Sequence, residues 1–148
     1  MEYLIKFLQL PFSKQHLFGE AVLMLTATRI IIKLLPYKVL RRFLFQPDRF
    51  EVFRHQKGSQ DDFIWAINRA GKYTLRENSC LALASAGNAL LRLHGFPAHM
   101  RLGFQKSEDG EIEAHAWVEI NGEVVIGGTD RDIEHYIPLL ESTEQKHE

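Results

Sequence analysis

The one cysteine of the chain, Cys80, directly follows Ser79, a good helix N-cap, and the apolar residues behind it recur at helical steps: Leu83, Ala86, Leu90 and Leu93. A helix is therefore predicted to start at Cys80 and to stop before Gly95 and Pro97. Backbone N–H groups at a helix N-terminus carry partial positive charge and favour thiolate over thiol, so a cysteine in that first turn can be a nucleophile. A small buried thiol in the core is the competing reading. His115 is the candidate base. It lies in an alternating run that places His115, Trp117 and Glu119 on one face of a strand and Ala114, Ala116, Val118 and Ile120 on the other. An imidazole in reach of a helix-terminal thiol can take its proton and create a pair that attacks carbonyl carbon. His16, His55, His94, His99 and His135 compete for that role, whereas His147 sits in a polar tail.

The elements that would position this pair are legible around it. Phe63, Ile64, Ile67 and Ala70 form one helical face that ends at Gly71. An extended segment, Ala98 to Phe104, leads through a Ser107–Gly110 turn to a strand from Ile112 to Ile120. Asn121-Gly122 then predicts a tight hairpin into Glu123–Ile126. Upstream, Phe18–Leu35 and Tyr37–Phe45 read as two helical stretches broken at Pro36, and Arg41 and Arg42 give the second a basic end. The polar stretch Gln56–Asp62, with Gly58 and Ser59, reads as a loop or hinge. Residues 1–55 are thus a helical lead packed on a core of residues 56–148, together one compact unit.

Charge follows the same division: nine basic and four acidic residues in 1–54, net +5, against nine and fifteen in 55–148, net −6. The whole 148-residue chain has 18 Lys and Arg and 19 Asp and Glu, or 18 − 19 = −1. That balance, without a basic helix interleaved with aromatics, argues against a nucleic-acid binder. A single cysteine excludes an internal disulfide, and no Cys/His set has metal-ligand spacing. Glu20, Arg29 and Lys33 interrupt Leu17–Leu35, leaving Ala21–Thr28 as its longest uncharged run, far short of the roughly 20 residues of a spanning helix. No transmembrane segment and no signal peptide are expected, and a cytoplasmic protein is. The basic lead can dock an acidic partner or lipid headgroups, or simply pack on the core.

Asn78-Ser79-Cys80-Leu81-Ala82-Leu83-Ala84, Leu90-Leu91-Arg92-Leu93-His94-Gly95-Phe96-Pro97-Ala98, Leu102-Gly103-Phe104 and above all His115-Ala116-Trp117-Val118-Glu119 occur in one order. Together they resemble the transglutaminase-like cysteine peptidases of lasso-peptide biosynthesis. Val124-Val125-Ile126-Gly127-Gly128 resembles a variant common in that family, and Glu20-Ala21, Thr28-Arg29 and Leu34-Leu35-Pro36-Tyr37 are similar to its helical lead. The likeness runs from about Leu17 to Leu140.

The resemblance implies an α+β fold with a papain-like or transglutaminase-like core: a cysteine on a helix N-terminus packed against an antiparallel sheet that carries the histidine. It implies a leader peptidase that cuts a ribosomally made precursor peptide without a cofactor, in the stand-alone form that has no winged-helix-like N-terminal segment. A small leader-binding protein would deliver the precursor, and an asparagine-synthetase-like macrolactam cyclase would close the ring afterwards. Cys80 would be the nucleophile and His115 the general base and later the acid. Relatives with a full triad often place Asp about a dozen residues after the histidine, where this chain has Gly127. If Asn121-Gly122 makes a two-residue turn, paired residues sum to 243, His115 faces Gly128, and Asp130 lies diagonally on the same face. Asp130 is therefore the expected orienting acid, with Glu119 ranked second and a backbone carbonyl or water third; a solvated turn carboxylate is the plain alternative for Asp130. Trp117 and Glu119, with Trp65, could line a substrate cleft, and the Cys80 N–H would join an oxyanion hole. Two other functions stay open on this scaffold: an acyl transferase with an amine acceptor, and a non-catalytic module that binds a peptide or partner.

Overall fold

Helical periodicity in the first two thirds of the chain gives way to strand alternation after Pro97, and the architecture follows that division. The computed structural model of the protein describes residues 1–36, 38, 39, 42, 58–74, 79–128 and 133–138. Four helices, α1 (Glu2–Leu8), α2 (Phe12–Leu34), α3 (Gln60–Thr74) and α4 (Cys80–Leu93), precede four strands, β1 (Ala98–Lys106), β2 (Ile112–Ile120), β3 (Glu123–Ile126) and β4 (Ile137–Pro138). The strands form one antiparallel sheet in the order β3-β2-β1-β4. This is the α+β class that the sequence predicts.

One apolar core joins the layers. Ala21 and Leu25 of α2, Phe63, Ala66, Ile67 and Ala70 of α3, and Ala84, Ala86, Leu90 and Leu91 of α4 are buried with Ala98, Ala116, Val118, Ile120 and Ile126 of the sheet. Each fully buried Leu, Ile or Phe contributes about 1.5–3 kcal/mol. Arg29 ties the lead to the core again, its Nη1 donating to the Thr74 carbonyl at the end of α3 (2.9 Å). The lead helix is thus part of the core.

Several boundaries differ from the sequence reading. α2 starts at Phe12, six residues before the expected Phe18, and α1 precedes it. Leu35 adopts extended backbone (φ −88°, ψ 136°), as a residue before proline must, which ends α2. Of the second lead stretch, Tyr37–Phe45, only residues 38, 39 and 42 are described, and these are helical. The polar hinge is shorter than expected, because Ser59 caps a helix that begins at Gln60: its Oγ accepts from the Asp62 N–H (3.3 Å), and Asp61 and Asp62 complement the helix dipole. Gly71 does not terminate α3. It is buried inside the helix beside Ala66 and Ala70, small residues that let helices approach closely.

At the other end of α4 the prediction holds. Gly95 takes φ +90°, its N–H donates to the Arg92 carbonyl (3.1 Å), and the Phe96 N–H reaches the Leu91 carbonyl (3.0 Å), the paired bonds of a Schellman cap. The chain then reverses into β1, which pairs with β2 from Ala98↔Ile120 to Lys106↔Ile112.

Candidate active site

Cys80 is the first residue of α4, behind Ser79 at the N-cap, and its side chain is half-buried. The first intrahelical bond is from the Leu83 N–H to the Ser79 carbonyl (3.0 Å), so the N–H groups of Cys80, Leu81 and Ala82 precede the helical ladder. Donors in that position favour a thiolate and can receive developing negative charge on a carbonyl oxygen. Ser79 makes no side-chain capping bond in this turn.

His115 lies in β2 opposite Gly103 and is 5% exposed. Its Nε2 is 2.6 Å from the Gly127 carbonyl. A carbonyl only accepts, so Nε2 carries the proton and Nδ1 is left as the basic nitrogen. Nδ1 is buried and has no hydrogen-bond partner among the described residues. Gly127 can supply that carbonyl because of its own geometry: it has φ +85°, and a Cβ there would lie 2.9 Å from the Ala116 carbonyl oxygen and 3.2 Å from the Trp117 Cα. A backbone oxygen thus holds the ring from the place where a triad acid is expected.

The register explains how. Asn121 (φ 51°) and Gly122 (φ 81°) form the two-residue turn, and Ile120↔Glu123 and Glu119↔Val124 keep the expected sum of 243. A bulge between Val118 and Glu119 then shifts the pairing to Val118↔Ile126. The pairing of His115 with Gly128, on which the position of Asp130 was reasoned, therefore does not hold. Asp130 itself lies outside the described residues.

The odd-numbered face of β2 is as buried as its core face. Trp117 is 4% exposed, Tyr136 packs 5.4 Å from the His115 ring and 6.3 Å from the Trp117 ring, and the His115 and Trp117 rings stack at 6.1 Å. Gly103 makes room for this cluster, since a Cβ there would lie 2.9 Å from Trp117 ring carbons and from the Tyr136 Cβ. Glu119 makes no bond to His115. Its oxygens accept instead from Trp117 Nε1 (2.8 Å) and Arg101 Nε (3.3 Å). Sequence reasoning missed Tyr136 and Arg101, and it quoted Gly103 only within the Leu102-Gly103-Phe104 motif, although a glycine inside a strand marks a site of close approach.

The structure gathers His115, Trp117 and Glu119 along one strand, but no hydrogen bond joins Cys80 to His115 among the described residues. α4 meets the sheet at Met100, which accepts from Ser85, and at Ile126, which lies over Gly87; these belong to the other face. β3 stops at Ile126, and the His115 ring reaches the carbonyl of the next residue, Gly127. Residues 75–78, which precede Ser79, and 129–132, which follow Gly128, are outside the described residues. Among the competing histidines, His94 pairs with Glu20 (2.7 Å) and stacks on Phe63, and His16, His99 and His135 are exposed. No group of three His, Cys, Asp or Glu among the described residues could hold a metal, and none of the described helices is long and apolar enough to cross a membrane.

A model of the transglutaminase-like superfamily matches residues 22–141. The chain belongs to the transglutaminase-like superfamily. The match starts within α2 and spans the cysteine helix and the hairpin with His115, so this superfamily domain includes part of the lead as well as the sheet. Its members are usually thiol enzymes, which accords with a lone cysteine opening α4. Comparison with curated proteins and with solved structures gave no match.

Proposed function

We propose that this superfamily member is a cysteine peptidase that removes the leader from a ribosomally made lasso-peptide precursor, with Cys80 as nucleophile and His115 as base. The observation that carries the reading is the state of the imidazole: Nε2 is committed to the Gly127 carbonyl, and Nδ1 is buried with no partner among the described residues. An acceptor left empty in a dry site is costly, about 1–3 kcal/mol, unless a proton donor visits it. The thiol of Cys80 is the donor proposed here, and such catalytic contacts tighten when substrate is bound.

In the reaction Nδ1 takes the thiol proton and the sulfur attacks the scissile carbonyl carbon, while the N–H groups opening α4 receive the oxyanion. The C–N bond then breaks as the imidazolium gives its proton to the departing amine. Water, deprotonated by the same nitrogen, hydrolyses the thioester. The precursor peptide, a small leader-binding protein and an asparagine-synthetase-like cyclase are the proposed partners.

The test combines chemistry and cleavage. Wild type is expected to react with iodoacetamide at pH 7 at least tenfold faster than free cysteine, His115→Ala to lose that advantage, and Cys80→Ala to keep its fold while cleaving no precursor. Equal, slow alkylation of wild type and His115→Ala, with precursor and leader-binding protein present, would sink the peptidase reading. Product mass separates the acyl-transfer alternative, since transfer to an amine leaves the acyl fragment heavier than hydrolysis does.

A further inference from the structure

Glu119 stands two residues beyond Trp117 on the same face of β2, and both of its oxygens are engaged. Oε1 takes the indole N–H of Trp117 at 2.8 Å and Oε2 takes the Arg101 Nε at 3.3 Å. Arg101 comes from the neighbouring strand, directly opposite Trp117 in the register. The carboxylate is therefore held by a cation on one side and spends its other oxygen on the indole. A planar indole on a strand has two broad χ2 settings; the bond to Glu119 selects the one that lies nearly parallel to the His115 ring, 21° between planes at 6.1 Å. Tyr136 closes the third side, with its hydroxyl accepting from Gln105 Nε2 (3.1 Å).

We infer that Glu119 is a positioning residue for His115, acting through Trp117: Arg101 fixes the carboxylate, the carboxylate fixes the indole, and the indole fixes the face of the imidazole that Gly127 alone leaves free to rock. The hydrogen bond from Nε2 sets where the ring edge is, but a single bond is an axis about which a ring can turn. The stacked indole removes that freedom. It also presents a π face to the ring in its protonated form. The proposal deepens the peptidase reading and rests on it for its catalytic meaning, but its structural content is independent of that reading.

Among the described residues, the other charged groups on this face are Glu113, which accepts from Gln105 Nε2 (3.1 Å), and His99, which pairs with Glu119 across the ladder and is exposed.

The experiment compares full-length wild type, Glu119→Gln and Glu119→Ala. Gln keeps an acceptor for the indole N–H, and Ala has none. The first readout is ¹⁵N NMR of the His115 ring nitrogens together with exchange of the Trp117 indole proton. Glu119→Ala is expected to speed indole exchange at least tenfold and to shift the His115 ring signals, and Glu119→Gln to restore both towards wild type. The second readout is the pH profile of Cys80 alkylation by iodoacetamide, in which Glu119→Ala is expected to be at least fivefold slower near neutrality and Glu119→Gln within twofold of wild type. Unchanged ring signals in a folded Glu119→Ala protein overturn the inference, as does a Gln variant that behaves like Ala. If His115→Ala and wild type are alkylated equally slowly, the peptidase reading fails while the NMR readout still decides this one.

Discussion

Replacing Gly127 by Ala tests the central geometric claim, and Gly122 provides its control. Both glycines have nearly the same left-handed backbone, φ +85° and +81°, so the conformational cost of a Cβ, about 1–2 kcal/mol, is common to the two. They differ in their surroundings. A Cβ at Gly122 meets nothing within 4 Å, whereas one at Gly127 meets backbone atoms of Ala116 and Trp117 that no side-chain rotation can clear. Residue 127 must then move, and the carbonyl that holds His115 moves with it, exposing a buried donor to a loss of about 1–3 kcal/mol. Gly127→Ala is expected to cost about 2–5 kcal/mol and Gly122→Ala about 1–2 kcal/mol. Urea denaturation measures both, provided the slopes agree. The folded Gly127 variant should also lose the His115-dependent part of Cys80 alkylation, and the Gly122 variant should retain it. Equal stability losses would refute the reasoning, because the carbonyl would then have room to stay in place.

Three further outcomes follow from packing. Gly87→Ala in α4 reverses the usual gain of Ala over Gly in a helix, because its Cβ would collide with the Ile126 side chain; a loss of about 1–3 kcal/mol is expected, and Ile126→Val in the same protein should recover part of it. Leu90→Ala opens a cavity at a fully buried position and should cost about 2–5 kcal/mol by urea titration, without altering the Trp117 indole signal. A Glu20→Ala and His94→Ala double-mutant cycle should give a coupling of at least about 0.5 kcal/mol, since the pair is half-buried and His94 is braced on Phe63; a coupling near zero would show that the contact adds nothing between α2 and the end of α4.

Where local chemistry decided the structure, it could be read from the residues. Asn121-Gly122 requires two positive φ angles and has them, Gly95 ends α4 by a bond pattern only a left-handed residue permits, and β2 and β3 occupy the residues expected of them. Cys80 falls in the first turn of its helix for the same reason. What failed was decided at a distance. Gly71 looks like a terminator in isolation, yet it is buried within a continuing helix. The bulge at Val118/Glu119 leaves no mark in the alternation of β2 itself, yet a one-residue shift flips the facing of everything beyond it. That shift undid the geometric case for Asp130 and brought the Gly127 carbonyl to the ring instead. Tyr136 could not be foreseen beside His115, because it stands just before a strand of two residues, Ile137–Pro138, too short to carry a periodicity.

The burial of Ala21 and Leu25 has a consequence for how the protein is made. α2 is synthesised early, yet the surfaces that cover it belong to α3 and α4, which end at Thr74 and Leu93. At about 5–20 residues per second, the ribosome takes roughly 3–12 s to go from Leu34 to Leu93. For those seconds the apolar face of α2 is complete and uncovered, far longer than the microseconds in which a helix forms. A polar substitution at Ala21 or Leu25 would make that face less apolar during synthesis but would bury a polar group in the finished core, so the two stages place opposite demands on the same residues.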